Sequence, residues 1–262
     1  MRLKTACASA IVLVLSAAGP HLAVAASASA TSASQVDPDA MAALDKMGAE
    51  LRSHNNFDMK ADVTHEDVLG DGQKLQYNGT VEVVARRPDR FKMSVVSDLR
   101  DREIFYDGKT VTVYSPRLGY YATVDAPPTI AQTLKVATDK YGIELPLADL
   151  FTWGTDPSLA ARVKSAFLVR PEHINGQLCN HYAFRQEKVD WQIWIQQNGP
   201  ALPCKLVITN RIDSSAPQYT SEMHWSFPTT IADDTFTFAP PGNAHKIVMA
   251  TLVAANAKGA KP

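Results

Sequence analysis

The sequence lacks most of the features from which chemistry is usually read. Its 262 residues include only three cysteines, and no two of them have the spacing of a zinc-binding pair. Lys and Arg number 26 against 27 Asp and Glu, so no basic excess marks a nucleic-acid surface. No apolar run after the first residues is long enough to cross a bilayer, so no transmembrane segment is expected. A nucleophile elbow, a phosphate-cradling glycine loop and a two-histidine zinc helix are all missing. Gly70 and Gly72 belong to a turn between strands and open no helix. Cys179 and His181 share a strand face and would need a third ligand such as His224 to hold a metal. A surface histidine and a buried or bonded cysteine is the simpler reading. The acids at His65-Glu66-Asp67 and Asp233-Asp234 read as solvated turn residues. The expectation is a non-enzymatic protein with no cofactor, metal or nucleic-acid partner.

A tripartite start is present. "MRLK" is basic, Thr5 to Ala18 is apolar, and Ala23-Val24-Ala25 offers a small-residue cleavage site, so residues 1–25 read as a signal peptide cut near Ala25. Cys7 precedes the apolar run and does not resemble a lipid attachment site. Cleavage would remove Arg2 and Lys4, lowering the 26 basic residues to 24 against 27 acidic ones. Two cysteines then remain, Cys179 and Cys204. An even pair in an oxidising compartment invites a disulfide. In a simple meander, however, one strand lies between them and sets them about 10 Å apart, too far for the bond. Both readings stand at this point.

Residues 26–36, with "ASASATSAS", form a small-residue linker with nothing to bury. Asp37 and Pro38 then suit the start of a helix whose stripe is Met41, Leu44, Met47 and Leu51. Phe57, Met59, Ala61 and Val63 alternate with polar neighbours, as a half-buried strand requires. "TVEVVAR", "FKMSVVS", "REIFYDGKTVTVYSP" and "LGYYATV" continue the strands, and Asp107-Gly108 marks a hairpin. Pro127-Pro128 interrupts them. From Thr129 to Tyr141, Ile130, Leu134, Ala137 and Tyr141 fall on one helical face, and "ELPLADLF" and "DPSLAARVK" read as short helices. Strands resume with "SAFLVRP", "QLCNHYAFRQ", "VDWQIWIQ", "PCKLVIT" and "QYTSEMHWSFP". Regular short strands with polar turns argue for an antiparallel sheet. The folded domain is read as residues 37–248, with a flexible tail at 249–262.

The conspicuous surplus is apolar. On "VDWQIWIQ", Trp191, Ile193 and Ile195 share one face and Trp194 takes the other. The inward candidates are Phe57, Met59, Val81, Val83, Phe91, Met93, Val95, Tyr106, Trp191, Ile193, Ile195, Met223 and Trp225, with Ile130, Leu134 and Tyr141 on the inserted helix. Methionines and flat aromatics suit a close-packed core, and equally a cavity that accepts a variable apolar ligand.

"DWQIWI" followed by "LPCKLVIT", together with "YDGKTVTVYSP", "YGIELPLADL" and "DDTFTFAPPGNAHKI", resembles an uncharacterised family of predicted periplasmic bacterial proteins, a domain of unknown function. The resemblance runs from Asp37 to Ile247. That family is similar in turn to the periplasmic lipoprotein carriers and outer-membrane lipoprotein receptors. The implied fold is mainly β (α+β): an unclosed antiparallel β half-barrel of about eleven strands whose concave face is covered by helices. The implied place is the periplasm. The implied activity is binding or carriage of a hydrophobic ligand, such as a lipid, acyl chain or lipoprotein, with an envelope protein as a further partner. Burying a sixteen-carbon chain would yield roughly 12 kcal/mol before ordering costs, enough for binding without a charged anchor. The rival is an envelope regulator or scaffold working through protein contacts; a hydrolase with an unfamiliar site is the weaker alternative.

Overall fold

The computed structural model describes residues 36–251, except 99, 144–146, 148, 149 and 151. The regions read as signal peptide and most of the linker lie outside the described residues. Twelve strands form a single sheet: β1 (Asn56–Val68), β2 (Lys74–Arg86), β3 (Arg90–Ser97), β4 (Asp101–Tyr106), β5 (Thr110–Ser115), β6 (Tyr120–Asp125), β7 (Ser165–Ile174), β8 (Gln177–Arg185), β9 (Val189–Gln196), β10 (Pro203–Asn210), β11 (Gln218–Ser226) and β12 (His245–Lys246). Their order is β12-β6-β5-β4-β3-β2-β1-β11-β10-β9-β8-β7. Every pairing is antiparallel except the two-residue β12, which runs parallel to β6. The two ends of the sheet do not pair, so the half-barrel stays open. β12 is the strand that the sequence pattern does not announce.

Register explains the concave face. Met59 of β1 stands opposite Val83 of β2 and Trp225 of β11, Val83 opposite Met93, and Met93 opposite Ile104. Every second residue thus feeds one apolar surface that continues through Leu206, Ile193 and Tyr182. Helix α1 (Pro38–Ser53) lies on that surface. The Asp37 side chain caps it by accepting from the Asp39 amide at 2.9 Å, and Ala40, Leu44, Met47 and Leu51 are buried in the same core as the strands. A short helix, α3 (Pro157–Ala161), adds Leu159 to the core. Gly48 has to be glycine: a Cβ there would sit 2.7 Å from the Trp153 carbonyl oxygen. The chain around Trp153 is therefore laid directly on α1.

The convex face is covered over part of its width by the C-terminal stretch. After β11, a 3-10 turn (Asp233–Phe236) buries Phe236 beneath the Arg86 guanidinium. Phe238 then meets Phe105, Tyr114 and Tyr121 at 5.4, 5.2 and 5.0 Å between ring centroids. Asp233 belongs to this arrangement as the ion-pair partner of Arg86, so it does more than solvate a turn.

Candidate functional site

Helix α2 (Ile130–Tyr141) follows β6 and returns over β3–β6. Its start is tied down. The Pro127 carbonyl accepts from the Tyr106 hydroxyl at 2.5 Å and from Thr133 Oγ1 at 3.2 Å, and the Ile130 amide donates to Pro88 O at 2.9 Å. Thr129 caps the helix through its side chain. At the far end Gly142, at φ 65°, turns the chain in the left-handed region and donates to Thr138 O, as a helix-ending glycine does. Among the described residues, the hydrogen bonds of this far end stay within the helix and its cap.

The two long helices are seated very differently. Ala40, Leu44, Met47 and Leu51 of α1 are at most 2% exposed. On α2 only Thr133 is buried, while Ile130, Leu134, Val136, Ala137 and Tyr141 are half-buried. Beneath them is a cleft of about 30 Å³ walled by Phe91, Ile104, Val111, Val113, Val124 and Ala126, with Ile143 and Met249 also in its lining. Among the described residues, Asp125 and Tyr141 are its only ionisable side chains. Burial pushes the neighbouring Tyr106 hydroxyl up from the ordinary phenol value, so it stays neutral and donates. The described lining of the cleft is otherwise mainly apolar.

The residues expected from sequence to line a cavity divide into groups. Phe91, Leu134 and Tyr141 line the cleft under α2, and Ile130 packs beside it against the main core. Trp191 lines a second cavity of about 100 Å³ with Leu44, Met47, Trp153 and Ile208. Met223 and Trp225 border a third, of about 250 Å³, where β10 and β11 separate. Here Trp225 Nε1 donates to Pro203 O at 2.8 Å. Phe57, Met59, Val81, Val83, Met93, Tyr106, Ile193 and Ile195 are packed in the core, with Val95 half-buried against it. Pattern alone does not single out Val111, Val113, Val124, Val136 or Met249. The first three alternate like any core strand, and Met249 falls where a fraying tail is expected.

The opposite face of β9 decides one open reading and overturns one expectation. Cys179 and Cys204 are joined, with their Cα atoms 6.9 Å apart. The simple-meander distance fails because the register shifts between Pro203 and Lys205, leaving Cys204 as the unpaired residue of a bulge. His181 is not on the surface. It is buried, stacks on Trp194 at 3.9 Å and 12°, and meets Gln192 Oε1 through Nε2 at 2.9 Å. Trp194 donates to Glu172 at 2.9 Å and lies under the Lys205 ammonium. Its indole and Arg170 hold the Glu172 carboxyl below the usual carboxylate range. Neighbouring strands and the disulfide shield Trp194.

The family model described as "Predicted periplasmic protein (DUF2092)" matches residues 40–250. No curated protein matches the sequence. Solved structures with a similar fold include the Mycobacterium tuberculosis lipoprotein LppX, 11% identical, with 75% of this chain and 100% of that chain covered at a TM-score of 0.46. A chain of the Pseudomonas aeruginosa MucA/MucB complex is 15% identical, with 77% and 61% covered and a TM-score of 0.41. A LolA superfamily protein from Nitrosomonas europaea is 12% identical, with 76% and 97% covered and a TM-score of 0.37.

Proposed function

Because this chain belongs to the family of predicted periplasmic proteins DUF2092, we propose that it works in the periplasm as a non-enzymatic binder or carrier of a hydrophobic ligand, with α2 as the lid of the binding cleft. One observation carries the reading. The apolar residues of α2 hang half-buried over an apolar cleft, while α1 on the same concave face is fully seated. A helix of this length has little stability of its own and is ordered by tertiary contacts.

At about 30 Å³ the cleft is smaller than the roughly 150 Å³ that admits benzene, and far below the 300 Å³ or more of a typical ligand site. An acyl chain therefore enters only if the lid lifts. The anchors at Pro88 and Pro127 make the start of α2 the hinge and its Tyr141 end the moving part. Lifting exposes the half-buried apolar side chains of α2 together with the buried wall residues Phe91 and Ile104, and the chain's own burial offsets that cost, at about 0.8 kcal/mol per methylene.

Hydrogen exchange with and without a C12–C16 fatty acid tests this. The amides of Val136–Tyr141 should exchange well before those of α1 and become protected when the lipid is added. Equal protection of α1 and α2, unchanged by lipid, would sink the carrier reading. It would leave the scaffold alternative, which has one observation of its own: Phe167, Leu168 and Val169 are exposed in succession on β7.

A further inference from the structure

The described residues include four half-buried arginines, Arg52, Arg86, Arg87 and Arg90. Arg86 pairs with Asp233 and Arg90 with Asp89. Arg52 and Arg87 have no carboxylate partner among the described residues. Arg52 donates through Nη1 to the Trp153 carbonyl, and Arg87 donates through Nη2 to Leu51 O at 3.5 Å. The Arg87 guanidinium lies over the Phe57 ring at 5.9 Å, and its enclosed Nε–H has no partner among the described residues. Burial and the nearby Arg52 charge both work against Arg87's positive charge. Asp45, on the same helix as Arg52, accepts from the Trp153 indole at 3.1 Å and makes no ion pair with Arg52. Main-chain carbonyls at a helix end supply about half a charge at most. Two adjacent guanidinium groups are thus left undercompensated.

Their position matters as much as their charge. Phe57, Ala85 and Phe91 stand opposite one another across β1, β2 and β3. Phe57, under Arg87, is thus about two strand spacings, roughly 10 Å, from Phe91, and Phe91 forms the wall of the α2 cleft. The next residue along, Pro88, anchors the hinge of α2. We propose that Arg52 and Arg87 receive the anionic headgroup, carboxylate or phosphate, of an amphiphile whose apolar chain lies in the α2 cleft. Guanidinium forks match both oxyanions in a bidentate way. One such anion would neutralise two repelling charges and give the enclosed Nε–H an acceptor. The proposal rests on the apolar-ligand reading and adds that the ligand is anionic.

Calorimetric titration of the mature protein with dodecanoate, dodecyl phosphate and 1-dodecanol, all below their aggregation thresholds, tests it. The two anions should bind at least about tenfold tighter than the alcohol, the size expected for a charge-assisted pair. That preference should shrink with added salt. Arg87→Gln, and independently Arg52→Gln, should bring the preference to about twofold or less while leaving the alcohol's affinity unchanged. Arg87→Lys should keep part of it. Whichever anion binds tighter identifies the headgroup. Equal binding of all three ligands by the wild type would overturn the proposal while leaving the apolar-ligand reading intact. So would variants that lose affinity for all three alike, because that marks a structural role for the arginines. Absence of binding by all three would overturn both.

Discussion

Trp191 and Trp194 lie three residues apart on opposite faces of β9, and the same substitution should affect them differently. Trp194 is 6% exposed and its indole N–H is bonded to Glu172. Trp191 is half-buried, stacks on Phe184 at 4.1 Å and 12°, and its enclosed Nε1 has no partner among the described residues. Replacing either by Phe removes ring volume, at about 1–2 kcal/mol. At Trp191 the change also removes a donor whose burial costs about 1–3 kcal/mol, so the two terms cancel to within about 1 kcal/mol. At Trp194 it removes a hydrogen bond to an ionised acceptor, worth about 1.5–3 kcal/mol. Glu172 keeps partial solvent access, which favours the lower end. Trp194→Phe should therefore cost about 3 kcal/mol and Trp191→Phe about nothing. In a domain of this size that gap is roughly 6–12 °C in melting temperature. Urea melts at pH 7, followed by far-ultraviolet circular dichroism, measure the difference directly. Equal losses, or a larger loss at Trp191, would refute the assignment of the unpartnered indole.

Two further outcomes follow from the same geometry. The Cys179–Cys204 bond spans 25 residues, and loop-closure entropy gives it about 3.5 kcal/mol. Cys204→Ser and the reduced wild type should therefore lose similar amounts in urea melts, and a loss below about 1 kcal/mol would show that the bulge holds without the bond. Asp58 has one enclosed carboxylate oxygen with no partner among the described residues; burial and then Glu82 raise its pKa, against Lys60. A carboxyl raised in the folded state destabilises the protein when ionised, and that penalty disappears as pH falls through the folded pKa. Asp58→Asn should raise the urea midpoint at pH 7 and leave it unchanged near pH 3, whereas a gain that persists in acid would point to something other than charge.

Faces were easier to read from the sequence than depth. The alternation through Phe57, Met59, Ala61 and Val63 assigns the concave side of β1, and all four are buried there. Asp37-Pro38 and the stripe ending at Leu51 locate α1 because capping and periodicity are local properties. Whether an inward face meets packed atoms or a cleft depends on how far the covering helix stands from the sheet. Val83 and Val113 therefore look alike in sequence, although Val83 is enclosed in the core and Val113 walls the α2 cleft. The disulfide was ambiguous for a related reason: a bulge at Cys204 changes the distance across β9, and no residue type announces it. The path of Phe236 and Phe238 over the convex face follows from tertiary contacts that no periodicity encodes.

The free edge at β7 limits how another chain could attach to this sheet. Its start is already taken, since Val36 bridges to Ala166 in parallel and the Asp37 amide donates to Ala166 O. Its middle is broken by a bulge that leaves Val169 unpaired between Leu168 and Arg170, and Pro171 follows, with no amide hydrogen to give. A visiting strand would find no continuous ladder to extend. Strand addition, which reads the main chain and tolerates many sequences, is closed to partners approaching from this side. A protein that docks here has to recognise Phe167, Leu168 and Val169 by the shape of their side chains, and such recognition is selective by its nature.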